Sequence, residues 1–281
     1  MWNQIKTVLF LAILTAILLF FGSFFGRVGL TIAIIFALSI NFITYFFSDR
    51  IALFMYRAKP IKKDKYQWLI NDIKQLSKEA KIPEPKGIYI IPTEQANAFC
   101  AGRGPKHYVV ACTEGILKIL DKEELRAVLA HEIAHAKNRD VLIATIAATI
   151  AGVISYLAHM AQFAAIFGGR DNERSASNII GLLILAILTP IIALIIQLAI
   201  SRTREYHADE TGAKIIRNGK PLASALEKIE KSVKSSPLNF GSEAASSLFI
   251  SNPFKRNALL NLFSTHPPVE ARIKRLKEMN F

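Results

Sequence analysis

Four stretches of this chain, residues 7–26, 28–48, 141–169 and 175–201, contain no Asp, Glu, Lys or Arg. Each matches or exceeds the roughly 20 helical residues that cross a hydrocarbon core about 30 Å thick. Elsewhere the chain is polar and basic: 35 Lys+Arg against 22 Asp+Glu give a net charge of +13, yet mean hydropathy is +0.30. Apolar and charged residues are therefore segregated along the chain, which excludes a wholly soluble protein, a disordered chain and a disulfide scaffold.

The first two stretches are separated by Arg27 alone, with the turn expected at Gly26-Arg27, a connection too short to hold a domain. The first run is too long for a secretory signal and lacks a small-residue cleavage site, so the pair reads as an uncleaved hairpin. Residues 141–169 and 175–201 form a second hairpin on the same grounds. Orientation follows from the positive residues, which concentrate on the cytoplasmic side. The short turns hold Arg27 in one case and Arg170 and Arg174 in the other, whereas residues 49–140 and 202–281 hold 17 and 14 Lys+Arg. Both long polar segments are expected in the cytoplasm. The expected organisation is thus a transmembrane hairpin over 1–48, the first part of a cytoplasmic domain over 49–140, a second hairpin over 141–201, and the remainder of that domain over 202–281. The basic excess fits this topology and an anionic lipid surface, and no aromatic RNA-binding motif or zinc-finger spacing points to nucleic acid. Cys100 and Cys112 match no common zinc or redox spacing and are expected to be reduced, half-buried strand residues.

Within the first polar segment, Ile61, Trp68, Leu69, Ile73 and Leu76 recur at helical spacing and predict an amphipathic helix over 60–80, ended by Pro83 and Pro85. Residues 87–91, 97–101 and 107–111 predict three short strands, with a turn over 102–105. Asp121 and Glu124 have the spacing of a capping box and predict the start of a helix.

That helix carries His131-Glu132-Ile133-Ala134-His135. Histidines at i and i+4 share one helix face about 6 Å apart along the axis, so both imidazoles can meet one zinc ion. Glu132 is then placed to act as general base toward a water, as in zinc proteases. A catalytic zinc needs a third protein ligand and an open fourth position. The metzincin pattern is absent, since the positions where it would continue read Asn138 and Val141. A glutamate from a later helix is the other common solution, and Arg204-Glu205-Tyr206-His207-Ala208-Asp209 follows the fourth apolar stretch directly. Glu205 and Asp209 stand one helical turn apart, so the first can bind metal while the second accepts a hydrogen bond from a ligand histidine. His207 faces the other way and reads as a surface residue. His135 precedes the second hairpin by six residues and Glu205 follows it by four. The zinc is therefore expected about 10 Å from the cytoplasmic membrane face.

Taken together, Asn97-Ala98-Phe99, the His131 to His135 motif, Glu205 to Asp209, a late Thr265-His266-Pro267-Pro268 and the two hydrophobic hairpins resemble the HtpX-type membrane zinc metalloproteases. The resemblance extends more distantly to the CaaX prenyl protease group. It implies a mainly α membrane protein with a gluzincin-like α+β zinc protease domain and a small β-sheet. It also implies one zinc held by His131, His135 and Glu205, with Glu132 as catalytic base. Asn97, Ala98 and Phe99 correspond to a substrate-binding edge strand, and His266 and Arg272 to stabilisers of the tetrahedral oxyanion. Expected substrates are proteins or peptides, chiefly membrane proteins in quality control. A transporter is disfavoured because the apolar stretches hold only His159 as an ionisable group. A non-catalytic zinc-binding membrane scaffold is the alternative, distinguished by metal analysis and proteolysis. Residues 232–257, rich in Ser with scattered Phe and Leu, are expected to form a loop gating the cleft.

Overall fold

The computed structural model describes residues 2–23, 26–143, 146, 150, 202–235 and 267–281. The loop expected over 232–257 begins as helix, since residues 232–235 end the helix Lys220–Ser235, and residues 236–266, His266 included, with most of the second hairpin lie outside the described residues.

Helices α1 (Trp2–Ser23) and α2 (Gly26–Phe46) form the N-terminal hairpin. They approach closely where side chains are small, with Gly22 against Gly29 and Ala33. Asn41 Nδ2 donates to Thr15 Oγ1 across the pair at 2.8 Å, a pattern of small residues and polar links suited to packing in lipid. Gly26 and Arg27, expected as the turn, instead open α2, and Gly26 takes a positive φ of 67° that a glycine adopts without strain. Among the described residues, α2 is the one helix long and apolar enough to cross a membrane, and the described apolar run of α1, Thr7–Phe20, is shorter. The four expected spans therefore remain a proposal.

Helix α3 (Ser48–Met55) continues from α2, followed by β1 (Lys59–Pro60) and the amphipathic α4 (Lys63–Glu79). Leu69, Ile73 and Leu76 of α4 are fully buried while Trp68 stays 38% exposed, so the predicted stripe is narrower than its apolar residues. Strands β2 (Ile88–Ile91), β3 (Ala98–Gly104) and β4 (His107–Thr113) complete a four-stranded sheet of order β1-β2-β4-β3, parallel between β2 and β4 and antiparallel elsewhere. The turn expected over 102–105 is shorter than that. β3 runs on to Gly104 through a bulge between Gly102 and Gly104, where φ values of 144° and 130° admit only glycine comfortably. A Cβ on Gly102 would run into the His107 carbonyl.

Side chains alternate across this sheet as strand geometry requires. Phe99, Ala101, Val109 and Ala111 pack with Ala52, Leu53 and Tyr56 of α3. Ala98, Cys100, Tyr108, Val110 and Cys112 face the main core with α4 and α6 (Lys122–Lys137). Both cysteines are free and fully rather than half buried. The short α5 (Glu114–Ile119) joins β4 to α6, capped by Thr113. Helices α7 (Arg202–Ile216), α8 (Lys220–Ser235) and α9 (Val269–Lys277) close the domain over α6.

Candidate metal centre

Helix α6 begins with the predicted capping box: Asp121 accepts from Glu124 N–H, and the Glu124 carboxylate accepts from Asp121 N–H. Glu124 also takes Ser224 Oγ at 2.7 Å and Lys228 Nζ at 2.6 Å, so the same residue starts α6 and ties it to α8. Buried on several sides, α6 holds its central residues Leu129 to Ala134 within 6% exposure. The two histidine rings lie edge to face with centroids 4.7 Å apart.

Helix α7 crosses this segment at Gly212, where an added Cβ would stand 2.9 Å from His131 N and 3.0 Å from His131 Cα. That close approach brings Glu205 and Asp209, seven and three residues before the glycine, onto the histidines. Glu205 Oε2 is 3.7 Å from His131 Nε2, and Glu205 Oε1 is 3.5 Å from His135 Nε2. One atom from each of the three residues falls within 4.8 Å of the others. Ligands on a tetrahedral zinc with bonds near 2.0–2.1 Å stand about 3.4 Å apart, so the two histidine–glutamate separations fit such an ion closely.

Both outer imidazole nitrogens meet carboxylates. His131 Nδ1 is 3.0 Å from Asp209 Oδ1, and His135 Nδ1 is 3.4 Å from Asp140 Oδ2. Each contact leaves the Nε2 atom facing inward, free to act as a ligand nitrogen. Asp140 is a site residue that the sequence pattern did not single out. It follows Arg139, whose φ of 62° ends α6, and its N–H donates to the His135 carbonyl at 2.9 Å. The available signal was its position, as the last charged residue before a long apolar stretch. Gly212, seven residues after Glu205, was missed for a different reason: nothing local marks it.

Arg272 of α9 is fully buried beside these groups. Its Nε and Nη2 donate to the two Asp209 oxygens at 2.8 and 2.7 Å, a bidentate clamp. Nη1 stands 3.2 Å from Glu205 Oε2, and Nη2 stands 3.4 Å from His131 Nε2. Burial alone would raise the Asp209 pKa, but Arg272 and His131 outweigh it and hold the carboxyl at about 2. Burial likewise acts to lower His135, and the Asp140 hydrogen bond with the charges of Glu205 and Glu132 holds it up at about 9. The carboxylates of Glu205, Glu132 and Asp140 gathered about His135 suit a cation, which the His-His-Glu donors fit.

Glu132 is 6% exposed and accepts from Cys100 N–H at 3.2 Å. Burial pushes its carboxyl above the usual carboxylate range, a shift the two histidines oppose and Glu205 reinforces. The Cys100 contact also defines the sheet edge. Since Asn97 pairs with Thr113 of β4, the backbones of Ala98, Cys100 and Gly102 face away from β4 along the outer side of β3. Asn97, Ala98 and Phe99 are all buried at this edge, and the Phe99 ring packs 5.1 Å from Tyr56. His207 is exposed, as its place on α7 predicted.

Imidazoles from one helix and a carboxylate from a crossing helix, with a buried glutamate at the edge of a small sheet, place the molecule among metallopeptidases of the His-Glu-x-x-His type. Comparison with known proteins makes the assignment narrower. The description of peptidase family M48 matches residues 63–280, and the chain belongs to that family of metallopeptidases. A protein named Protease HtpX homolog from Persephonella marina is 52% identical over 99% of this chain and 97% of its own length. Proteins of the same name from Syntrophobacter fumaroxidans and Thermococcus sibiricus are 47% and 48% identical, each over 99% of this chain. The crystal structure of S. mikatae Ste24p superposes with a TM-score of 0.51 at 18% identity, covering 98% of this chain, and the chain spans 65% of that protein's length. At that identity the likeness concerns the fold.

Proposed function

We propose that the chain is a zinc-dependent endopeptidase of the cell membrane, with four spans in two hairpins and its site on the cytoplasmic side. The observation that carries this reading is the meeting of His131, His135 and Glu205 within 4.8 Å, beside the buried carboxylate of Glu132. These three residues would hold one zinc. Bound there, zinc supplies Lewis acidity at a scissile carbonyl and lowers the pKa of a water.

The chain's own groups supply the rest. Asp209 and Asp140 keep the histidines in the tautomer whose Nε2 faces inward. Glu132, with a carboxyl made more basic by burial, takes a proton and returns it to the leaving amine. An extended peptide adds to the outer edge of β3, along Asn97, Ala98 and Phe99, pairing with backbone that faces away from β4. Arg272 locks Asp209 and presents Nη1 toward the ligand atoms, a position that suits stabilisation of an oxyanion together with His266. Protein or peptide substrates, chiefly membrane proteins, fit a site this close to the bilayer, and the 232–257 segment is proposed as its gate.

Metal analysis and proteolysis of the unaltered chain and of Glu132→Gln test this. Stoichiometric zinc in both, with cleavage lost only in Glu132→Gln, is the expected result. Cleavage near the unaltered level would remove Glu132 as the base, and zinc without any turnover in either would favour a zinc-binding scaffold.

A further inference from the structure

Helix α3 leaves α2 through a bend at Phe47, where φ is −117° and ψ is 18°. Hydrogen bonds from Phe47 N–H to Ile43 O and from Ile51 N–H to Phe47 O, both 2.9 Å, run across the bend, so no loop separates the two helices. The inner face of α3 is buried on the sheet through Ala52, Leu53 and Tyr56. The outer face carries Arg50 and Phe54 one turn apart, with Phe47 at the N-cap before them and Arg57 just past the helix end in a left-handed turn. All four are exposed, Phe54 by 84%.

This face alternates aromatic and cationic groups. The Arg50 guanidinium carbon lies 5.2 Å from the Phe47 ring centroid. Beside α3, the bulge at the end of β3 reaches the end of α2, with the Arg103 guanidinium carbon 5.2 Å from the Phe46 ring centroid and its Nε buried without a hydrogen-bond partner. Asp49, the one carboxylate of α3, is turned inward to His107 at 3.5 Å. The outer face of α3 is therefore positive and apolar, and it starts where the apolar helix ends. The headgroup layer of a bilayer suits both halves of that surface, since aromatic rings sit at its depth and guanidinium groups pair with phosphate.

We propose that the outer face of α3, with Arg103 beside it, is a docking surface for anionic phospholipid headgroups. The proposal rests on α2 being a membrane span. Its consequence reaches the site, because the inner face of the same helix packs on β3 through Tyr56 and Phe99. Seating α3 in the headgroups fixes the strand to which a peptide would add.

The test uses the full chain, spin-labelled at Phe54→Cys or, separately, at Phe36→Cys on the exposed side of α2. Both native thiols are buried and leave the label specific. Each protein is reconstituted in phosphatidylcholine vesicles and in equimolar phosphatidylcholine and phosphatidylglycerol. Position 54 is expected to become protected from a water-soluble nickel chelate and accessible to oxygen in the phosphatidylglycerol vesicles. That shift should be lost in Arg50→Gln, Arg57→Asn, where Asn suits the positive φ of 51° at position 57. Equal accessibility of position 54 in the two lipids, with position 36 protected, would overturn the proposal and leave the span intact. Exposure of position 36 to the nickel chelate would remove the span and the proposal together. Spin–spin broadening at position 54 would overturn it in favour of a second copy of the chain.

Discussion

Each of the two candidate ligand histidines turns one ring nitrogen to a carboxylate, but the two carboxylates carry different loads. Asp140 touches His135 and lies 4.0 Å from Arg204 Nε, near the end of α6 and the start of α7. Asp209 touches His131 and also neutralises the fully buried Arg272. Asp140→Asn is expected to weaken zinc binding by about 10–100-fold, as loss of an outer partner does, with little change in Tm. Asp209→Asn should weaken zinc comparably and also destabilise the fold by about 3–5 kcal/mol, because it leaves a buried guanidinium without its main counter-charge. His207→Ala should change neither. Competition with a chromophoric chelator and thermal melts measure the three, and unchanged affinity in Asp140→Asn would remove that residue from the site. The cysteines give a separate prediction. Burial, then the charge of Glu132, pushes Cys112 up to about 12 and raises Cys100 as well. Iodoacetamide at mildly alkaline pH should therefore leave both thiols unmodified in the native protein and label both after unfolding. The native state holds these protons while the unfolded chain releases them near 9, so their contribution to stability falls as pH rises from about 9 toward 12.

At the scale of elements, the metal centre depends on how closely α7 crosses α6. Gly212→Ala would place a Cβ 2.9 Å from backbone of His131, and a helix backbone gives way only by moving the whole crossing. The expected cost is about 1–3 kcal/mol of stability. Because Glu205 and Asp209 lie on the displaced helix, weaker zinc binding should accompany it. Lys214→Ala, at a side chain 63% exposed on the same helix, should leave both unchanged. A Gly212→Ala protein with unaltered Tm and zinc affinity would show that the crossing is set elsewhere.

The whole molecule must bring residues from both sides of the apolar segment 141–201 to one point. Two crossings of the bilayer in that segment would return Glu205 to the side on which His135 left it. Accessibility labels near Lys86 and Lys220 should then both report the cytoplasm, and a label at Asn172 the opposite face. Labels at Lys86 and Lys220 on opposite sides would be incompatible with a site assembled from His131, His135 and Glu205. Met1 in the cytoplasm and Arg27 outside are expected for the first hairpin.

Local chemistry was enough to read the capping box of α6, the helical spacing of His131 and His135, the amphipathic α4, and the strands expected over 87–91 and 107–111, because each depends on neighbours within one or two turns of chain. The one-turn spacing of Glu205 and Asp209 likewise followed from position alone. Contacts between elements did not. Asp140 joins the site because α6 ends in a left-handed residue that folds its side chain back toward His135. Arg272 joins it from α9, 141 residues after His131, and Gly212 matters only because two helices meet there. The β3–β4 turn was placed too early because two glycines that look like turn residues instead form a bulge inside paired strands. Sequence determined which residues can ligate and which segments are apolar, since those follow from side-chain chemistry and period. Tertiary structure decided which carboxylate serves which imidazole, since hydrogen bonds and ion pairs between distant segments depend on separations of a few ångströms that only packing sets.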